Sequence, residues 1–271
     1  MLKQRIITAL VLLPIALGGF FLLDGAAFAL FIGAVVVLGG WEWARLAGFA
    51  AQPLRVAYAT LVAALLYGLH LVPALAPWLL AAAVLWWALA TLLVLGYPAS
   101  SRYWGGLPGK LLIGLLILLP AWQGLVLLKQ WPQANGLIVA VMVLVWGADI
   151  GAYFAGKTFG KRKLAPKVSP GKSWEGLYGG LAASLLITLA VGLQQGWSAG
   201  GLLLALAGAA LVVLISVVGD LTESMFKRQS GIKDSSNLLP GHGGVLDRID
   251  SLTAAIPLFA ALLWLAGWGS L

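Results

Sequence analysis

Long apolar runs alternate along the chain with short polar breaks. Runs such as ITALVLLPIALGGFFLL and LITLAVGL sit between brief interruptions, and most approach the ~20 residues that cross a bilayer. The pattern predicts nine spans at roughly 6–23, 26–41, 54–72, 75–96, 110–128, 136–156, 176–193, 201–219 and 251–269. They are read as helices, because in lipid a chain that is not a closed barrel must satisfy its backbone within each segment. The second span is short, which predicts little tilt or an end in the interface. The opening stretch MLKQRIITALVLLPIALGGF has the charge and apolar core of a signal peptide. The next run follows after only Asp24 and Gly25 with no clear cleavage site, so a retained first span is expected.

Composition sharpens this picture. Of 271 residues, 61% are hydrophobic and 10% charged, against roughly 25% charged in a soluble domain. The expected fold is therefore all-α and polytopic: one integral membrane domain over 1–271, with N-terminal helices to about 130 and catalytic helices with two polar loops from about 136 onward. Cysteine is absent, which excludes disulfides and thiolate metal sites. The net charge of +8 reports topology before it reports a nucleic-acid partner, and no nucleic acid is expected.

With a cytoplasmic N-terminus, all of the 17 Lys and Arg residues except Lys129 fall on the cytoplasmic side. Shifting the count by one span before residue 157 would destroy that asymmetry, so it also supports nine spans. Two loops on that side are unusually polar. One, about 157–175, reads KTFGKRKLAPKVSPGKSWE; the other, about 220–250, reads DLTESMFKRQSGIKDSSNLLPGHGGVLDRID. Glu175, Asp220, Glu223, Asp234, Asp247 and Asp250 lie in or beside them. An active-site cavity facing the cytoplasm is expected.

Asp149 lies inside the sixth span, about seven residues from its predicted end and so about 10 Å deep. A carboxylate at that depth faces a cavity, an ion or a structural Lys or Arg partner, and Tyr153 at i+4 shares its face. Asp220, Glu223, Ser224 and Lys227 are spaced i, i+3, i+4, i+7. They form one stripe if the eighth span continues beyond the membrane as a helix; otherwise Lys227 and Arg228 only complement a helix C-terminus. Pro240 and Gly241, Gly243 and Gly244 bar an ordinary helix around His242. That loop either presents backbone N–H groups to an anion or is a tight turn before the last span. Asp247 and Asp250 open that span at i, i+3, as dipole partners or, with Asp220, as oxygen ligands of a hard cation.

In the first loop, Gly171-Lys172-Ser173 resembles the end of a phosphate-binding P-loop, but Pro166 stands where that motif needs glycine. Ser169 before Pro170 predicts a helix N-cap with Pro at the first helical position, placing Lys172 beside an anion-friendly helix start. Zinc is disfavoured, with only His70 and His242 available. A Ser224–His242–Asp247 triad lacks any nucleophile elbow. Carboxylates for a cation, with cationic and backbone donors for phosphates, fit phosphoryl or nucleotidyl transfer to a lipid head group.

The run SMFKRQSGIKDSSNLLPGHGGVLDRID, from Ser224 to Asp250, resembles the signature of the phosphatidate cytidylyltransferases (CDP-diacylglycerol synthases): S-x-x-K-R-x4-K-D, then P-G-H-G-G and D-R-x-D. The resemblance extends to DIGAYFAGKTFGKRKLAPKVSPGKSWEG from Asp149 to Gly176, with Ile150 and Ser173 as small departures, and more weakly to WEWARLAG near residue 41. It implies transfer of the cytidylyl group of CTP to phosphatidate, giving CDP-diacylglycerol and pyrophosphate in phospholipid biosynthesis, with Mg²⁺ and room for a second cation. On that resemblance Asp220 and Asp247 are the metal ligands, with Glu223 and Asp250 next in line. Lys172 and Arg248 are catalytic cations and His242 binds phosphate. Ser169, Lys227, Arg228, Lys233, the loop glycines 241, 243 and 244, and Asp149 are substrate-binding. The expected partners are CTP, phosphatidate and the membrane lipid of the plasma (inner) membrane; a homodimer is left open. A CTP-dependent polyprenol kinase and an ion-coupled transporter remain as alternatives.

Overall fold

The computed structural model describes residues 2–267. The last positions of the ninth predicted span, 268 and 269, and the side chain of Lys3 lie outside the described residues. In order the helices are α1 (Leu2–Phe21), α2 (Gly25–Ala47), α3 (Gln52–Leu71), α4 (Ala76–Leu95), the short α5 (Ser101–Trp104), α6 (Leu107–Gln130), α7 (Ala134–Phe159), α8 (Trp174–Gln194), α9 (Ala199–Gln229) and α10 (Leu246–Leu265). Among the described residues, nine helices are long and apolar enough to cross a membrane, matching the predicted number.

The first polar loop is more ordered than expected. It folds into an antiparallel hairpin, β1 (Lys163–Ala165) with β2 (Ser169–Ser173). The predicted N-cap at Ser169 is therefore wrong: Ser169 opens a strand. The cap is Ser173, whose Oγ accepts the Gly176 N–H at 3.1 Å at the start of α8. Pro170 sits within the strand instead, where its missing N–H removes nothing the short hairpin needs.

Two boundaries also move. α2 does not stop at 41 but runs to Ala47, where Gly48 in the left-handed region (φ 119°) returns its N–H to the carbonyls of Ala44 and Arg45. That is an ordinary glycine helix stop, and the extra turns carry Glu42 and Arg45. α9 continues to Gln229, so the stripe from Asp220 to Lys227 is helical and the second polar loop shrinks to 230–245.

The helices that form the site pack backbone to backbone. A Cβ on Gly180 of α8 would stand 2.7 Å from the Ala148 carbonyl oxygen of α7, and one on Gly219 of α9 would stand 2.7 Å from the Asp250 carbonyl oxygen of α10. Small residues permit such approach where no hydrophobic force separates helix from lipid. Gly219 thereby sets Asp220 beside the first turns of α10. Beneath, Phe226 of α9 packs between Trp43 of α2 and Trp104 of α5, with ring centroids at 4.7 and 4.4 Å. At the opposite end of the bundle Lys129 ion-pairs with Asp24 at 3.2 Å and donates to the Phe20 carbonyl and to Asn135. α1 is the least buried of the long helices.

Candidate functional site

The two polar loops meet at one end of the bundle. Arg228 of α9 donates from Nε to the Val168 carbonyl in the hairpin at 3.1 Å. The Lys172 ammonium of β2 lies 2.7 Å from Asp220 Oδ2, while Ser224, one turn on, donates to Asp220 Oδ1 at 3.2 Å. The hairpin itself is anchored by Glu175, which accepts from the backbone of Lys161 and Arg162 and from Arg162 Nε. That hydrogen bond raises the Arg162 guanidinium above its already high ordinary value, so its charge is permanent.

A second ammonium sits deeper. Lys227 bridges Glu223 at 3.1 Å and Asp247 at 2.8 Å, with all three side chains largely buried. The buried Glu223 carboxylate accepts no hydrogen bond and has only this ion pair to offset its desolvation. Asp247 is the opposite case. Its Oδ2 accepts from Ser235 N, Ser235 Oγ and Gly244 N at 2.8–2.9 Å, and its Oδ1 takes Lys227. Asp250, one turn further along α10, accepts at Oδ1 from the Ser251 N–H and feels the charges of Asp220, Lys227 and Lys172.

The PGHGG loop is tightly self-bonded. The Leu239 N–H donates to the Gly243 carbonyl and the His242 N–H to the Leu239 carbonyl, both at 2.8 Å. With the Gly244 N–H on Asp247, two of the loop's own N–H groups, and that of the preceding Leu239, are engaged within the protein. Gly243 holds φ 82°, and a side chain there would meet Asp247 Oδ2. Arg248 donates from Nε to the His242 carbonyl at 3.0 Å and is otherwise exposed. His242 Nδ1 is buried and unpartnered. Lys233 stands exposed on the loop. From the other side, Arg5 and Thr8 of α1 donate to the carbonyls of Gly241 and Pro240 at 3.0 and 2.9 Å.

A cavity of about 400 Å³ opens between α7, α8, α9 and the hairpin. Asp149, Tyr153 and Lys157 line it from successive turns of α7, Lys172 from β2, and Leu177, Val213 and Val217 supply apolar wall. The expected sharing of a face by Asp149 and Tyr153 holds. Because α7 runs on to Phe159, Asp149 lies ten residues from the helix end, about 15 Å rather than about 10 Å. Lys172 belongs both to this cavity and to the ion pair with Asp220, so cavity and acidic cluster adjoin. Ser169 is half-buried in β2 and is not among the cavity-lining residues.

Among the described residues no three His, Asp or Glu side chains converge on a common metal position. That donor set still suits Mg²⁺, which keeps several waters and is held through one or two carboxylates plus substrate phosphates. Asp220 and Asp250 would suit that use, since Asp247 already accepts from Lys227 and from the backbone N–H groups of Ser235 and Gly244.

Glu42 escaped the sequence reading. It is fully buried on α2 and accepts from Ser235, Ser236, Val245 and Leu246. Its only signal was a lone carboxylate between two tryptophans in an apolar run, a costly placement that calls for partners.

Comparison with known proteins places this architecture. The profile of the cytidylyltransferase family matches residues 3–266. A phosphatidate cytidylyltransferase of Pseudomonas aeruginosa is 79% identical over 270 residues, covering 100% of both chains. One of Haemophilus influenzae is 45% identical over 293 aligned positions, covering 96% of this chain and 98% of its own. One of Brucella suis is 43% identical over 176, covering 64% of this chain and 57% of its own. With its two polar loops joined through Lys172 and Asp220, and with matches running end to end, the chain belongs to the cytidylyltransferase family.

Proposed function

We propose that the chain is a membrane-embedded phosphatidate cytidylyltransferase that converts CTP and phosphatidate to CDP-diacylglycerol and pyrophosphate. Family membership supports the reaction, and one observation supports its location: the Lys172–Asp220 pair stands where a partly apolar cavity meets a cluster of carboxylates. An oxygen of the phosphatidate phosphate attacks the α-phosphorus of CTP. A new P–O bond forms, the bond to the β-phosphate bridging oxygen breaks, and pyrophosphate leaves with that electron pair. A phosphomonoester has a second pKa near ~6, so the nucleophile is largely a dianion at neutral pH and needs no strong base. The obstacle is repulsion between two polyanions.

The basic side chains answer that obstacle. Lys172 and Lys157 face the cavity, and the Arg248 guanidinium is exposed beside the PGHGG loop. Preorganised cations of this kind stabilise charge as it develops on transferred phosphate. Leu177, Val213 and Val217 offer an apolar wall to the glycerol and first acyl carbons. Asp220 and Asp250 are the residues that would hold Mg²⁺, with Asp247 and Glu223 behind them. When bound, Mg²⁺ supplies charge neutralisation at the phosphate oxygens.

The distribution of Lys and Arg supports an inner-membrane orientation with this end of the bundle in the cytoplasm, the compartment where CTP is made. Purified chain given labelled CTP and phosphatidate tests the proposal: label enters the lipid and pyrophosphate is released. Release of CDP without labelled lipid would mean γ-phosphoryl transfer and overturn it.

A further inference from the structure

Arg5 and Thr8 of α1 hold the tip of the PGHGG loop, and one side chain of α2 holds its stems and the start of α10. Glu42 of α2 is 0% exposed. Its Oε1 accepts from Ser236 Oγ at 2.6 Å and Val245 N at 2.9 Å; its Oε2 accepts from Ser235 Oγ at 3.1 Å and Leu246 N at 2.6 Å. Three donors thus converge on one carboxylate outright, and the Ser235 hydroxyl, whose single proton lies between Glu42 and Asp247, is a fourth contact. They come from the two ends of the 235–246 segment, so Glu42 draws together both stems of the loop. Charge-assisted bonds of this kind are roughly twice as strong as neutral ones, and two of them satisfy N–H groups at the α10 N-terminus.

The neighbouring turns of α2 reinforce the grip. Arg45 donates to the Ser235 carbonyl at 3.0 Å, and the Leu46 carbonyl accepts from Ser230 Oγ at 2.6 Å. The fit is close: a side chain on Gly244 would collide with Glu42 and with Ser235 Oγ. The Ser235 hydroxyl also lies 2.9 Å from Asp247 Oδ2. One hydroxyl therefore stands between the carboxylate of α2 and a carboxylate of the candidate site, and Asp247 passes the constraint on to Lys227 and Glu223.

Glu42 touches neither the cavity nor the Lys172–Asp220 pair. We infer that Glu42 is a positioning residue for cytidylyl transfer, holding the 235–246 segment so that Asp247, His242 and Arg248 keep their places opposite Lys172 and Asp220. The inference rests on the activity proposed above. A glutamine here offers one acceptor oxygen; its NH2 group can donate to a serine hydroxyl but would face the N–H of Val245 or Leu246, which loses its partner. Misplacing a catalytic element by about 1 Å can cost about 10²-fold in rate.

The chain contains no cysteine, so single nitroxide labels can be placed cleanly on the full chain in lipid nanodiscs. One is placed at Asn237→Cys, exposed within the held segment, and a control at Gln195→Cys, exposed between α8 and α9. In the Glu42→Gln background the expected result is a more mobile label at 237 and an unchanged label at 195. With it comes a fall in kcat of about 10²-fold and little change in KM for CTP. An unchanged label at 237 overturns the inference, whatever the rate does. So does a normal kcat with a loosened loop, or equal loosening at both labels, which would make Glu42 a general stability residue. A parent chain that makes no CDP-diacylglycerol would remove the activity reading alone, because the label comparison does not depend on turnover.

Discussion

Lys172 Nζ and Asp220 Oδ2 lie 2.7 Å apart and join the hairpin to α9. Both side chains are about one-quarter exposed, at 26% and 28%, so the pair is reachable by an anion or a cation arriving from the cavity. An incoming phosphate competes for the lysine and an incoming cation for the aspartate.

Lys172→Gln and Asp220→Asn are each expected to reduce kcat/KM for CDP-diacylglycerol formation by about 10²-fold or more, as loss of one electrostatic contact to a reacting group does. Because the two groups touch, the double substitution should cost much less than the product of the single effects. Radiolabel transfer from CTP to lipid, measured for all three variants, checks this; strict multiplicativity would show that the two residues act apart.

Asp247 and Asp220 separate on stability. Asp247→Asn breaks a largely buried ion pair with Lys227 and the acceptance of three donors, a change of the class that costs about 3–5 kcal/mol. Asp220→Asn leaves a lysine about one-quarter exposed, which water from the cavity can solvate, and should cost about 1 kcal/mol or less. Thermal unfolding in detergent distinguishes them: the Asp247 variant should melt well below the parent and the Asp220 variant close to it.

Gly244→Ala places a methyl group against Glu42 and Ser235. Overpacking of this kind costs about 1–3 kcal/mol, and here it strikes the held loop, so activity should fall along with melting temperature. Gly68→Ala of α3 is the control, since a Cβ there meets nothing within 4 Å. Equal tolerance of both changes would be hard to reconcile with the packing described.

Lys157→Gln tests the cavity. Lys157 lines it, with its ammonium 5.7 Å from the centre of the Tyr153 ring, and is in none of the ion pairs described. The expected outcome is a KM for phosphatidate raised by about 5- to 10-fold, the loss of roughly 1–1.5 kcal/mol of binding, with KM for CTP unchanged. A rise confined to CTP would put the nucleotide, not the lipid, in this cavity.

The spans were legible because lipid permits so few backbone solutions. Nine apolar runs and a one-sided distribution of Lys and Arg led directly to nine long helices. The stripe from Asp220 to Lys227 was legible from spacing alone, once helix was allowed past the apolar run. The hairpin was not. Ser169-Pro170 read as a helix start, and the pairing of Lys163 with Ser173 turns that stretch into a strand instead. Glu42 was invisible for a related reason: its partners begin at Ser235, 193 positions away, and nothing local to WEWARLAG names them. The cavity drew its polar lining from α7 and β2, which sequence proximity suggested, but its apolar wall at Val213 and Val217 comes from a face of α9 that looks like any lipid-facing surface.

Arg5 holds the Gly241 carbonyl across 236 positions of sequence. The PGHGG loop is thus fastened to the first helix, through Arg5 and Thr8, as well as to the last, into which it runs. Shortening α1 from its start is therefore expected to loosen a loop that lies at the far end of the sequence.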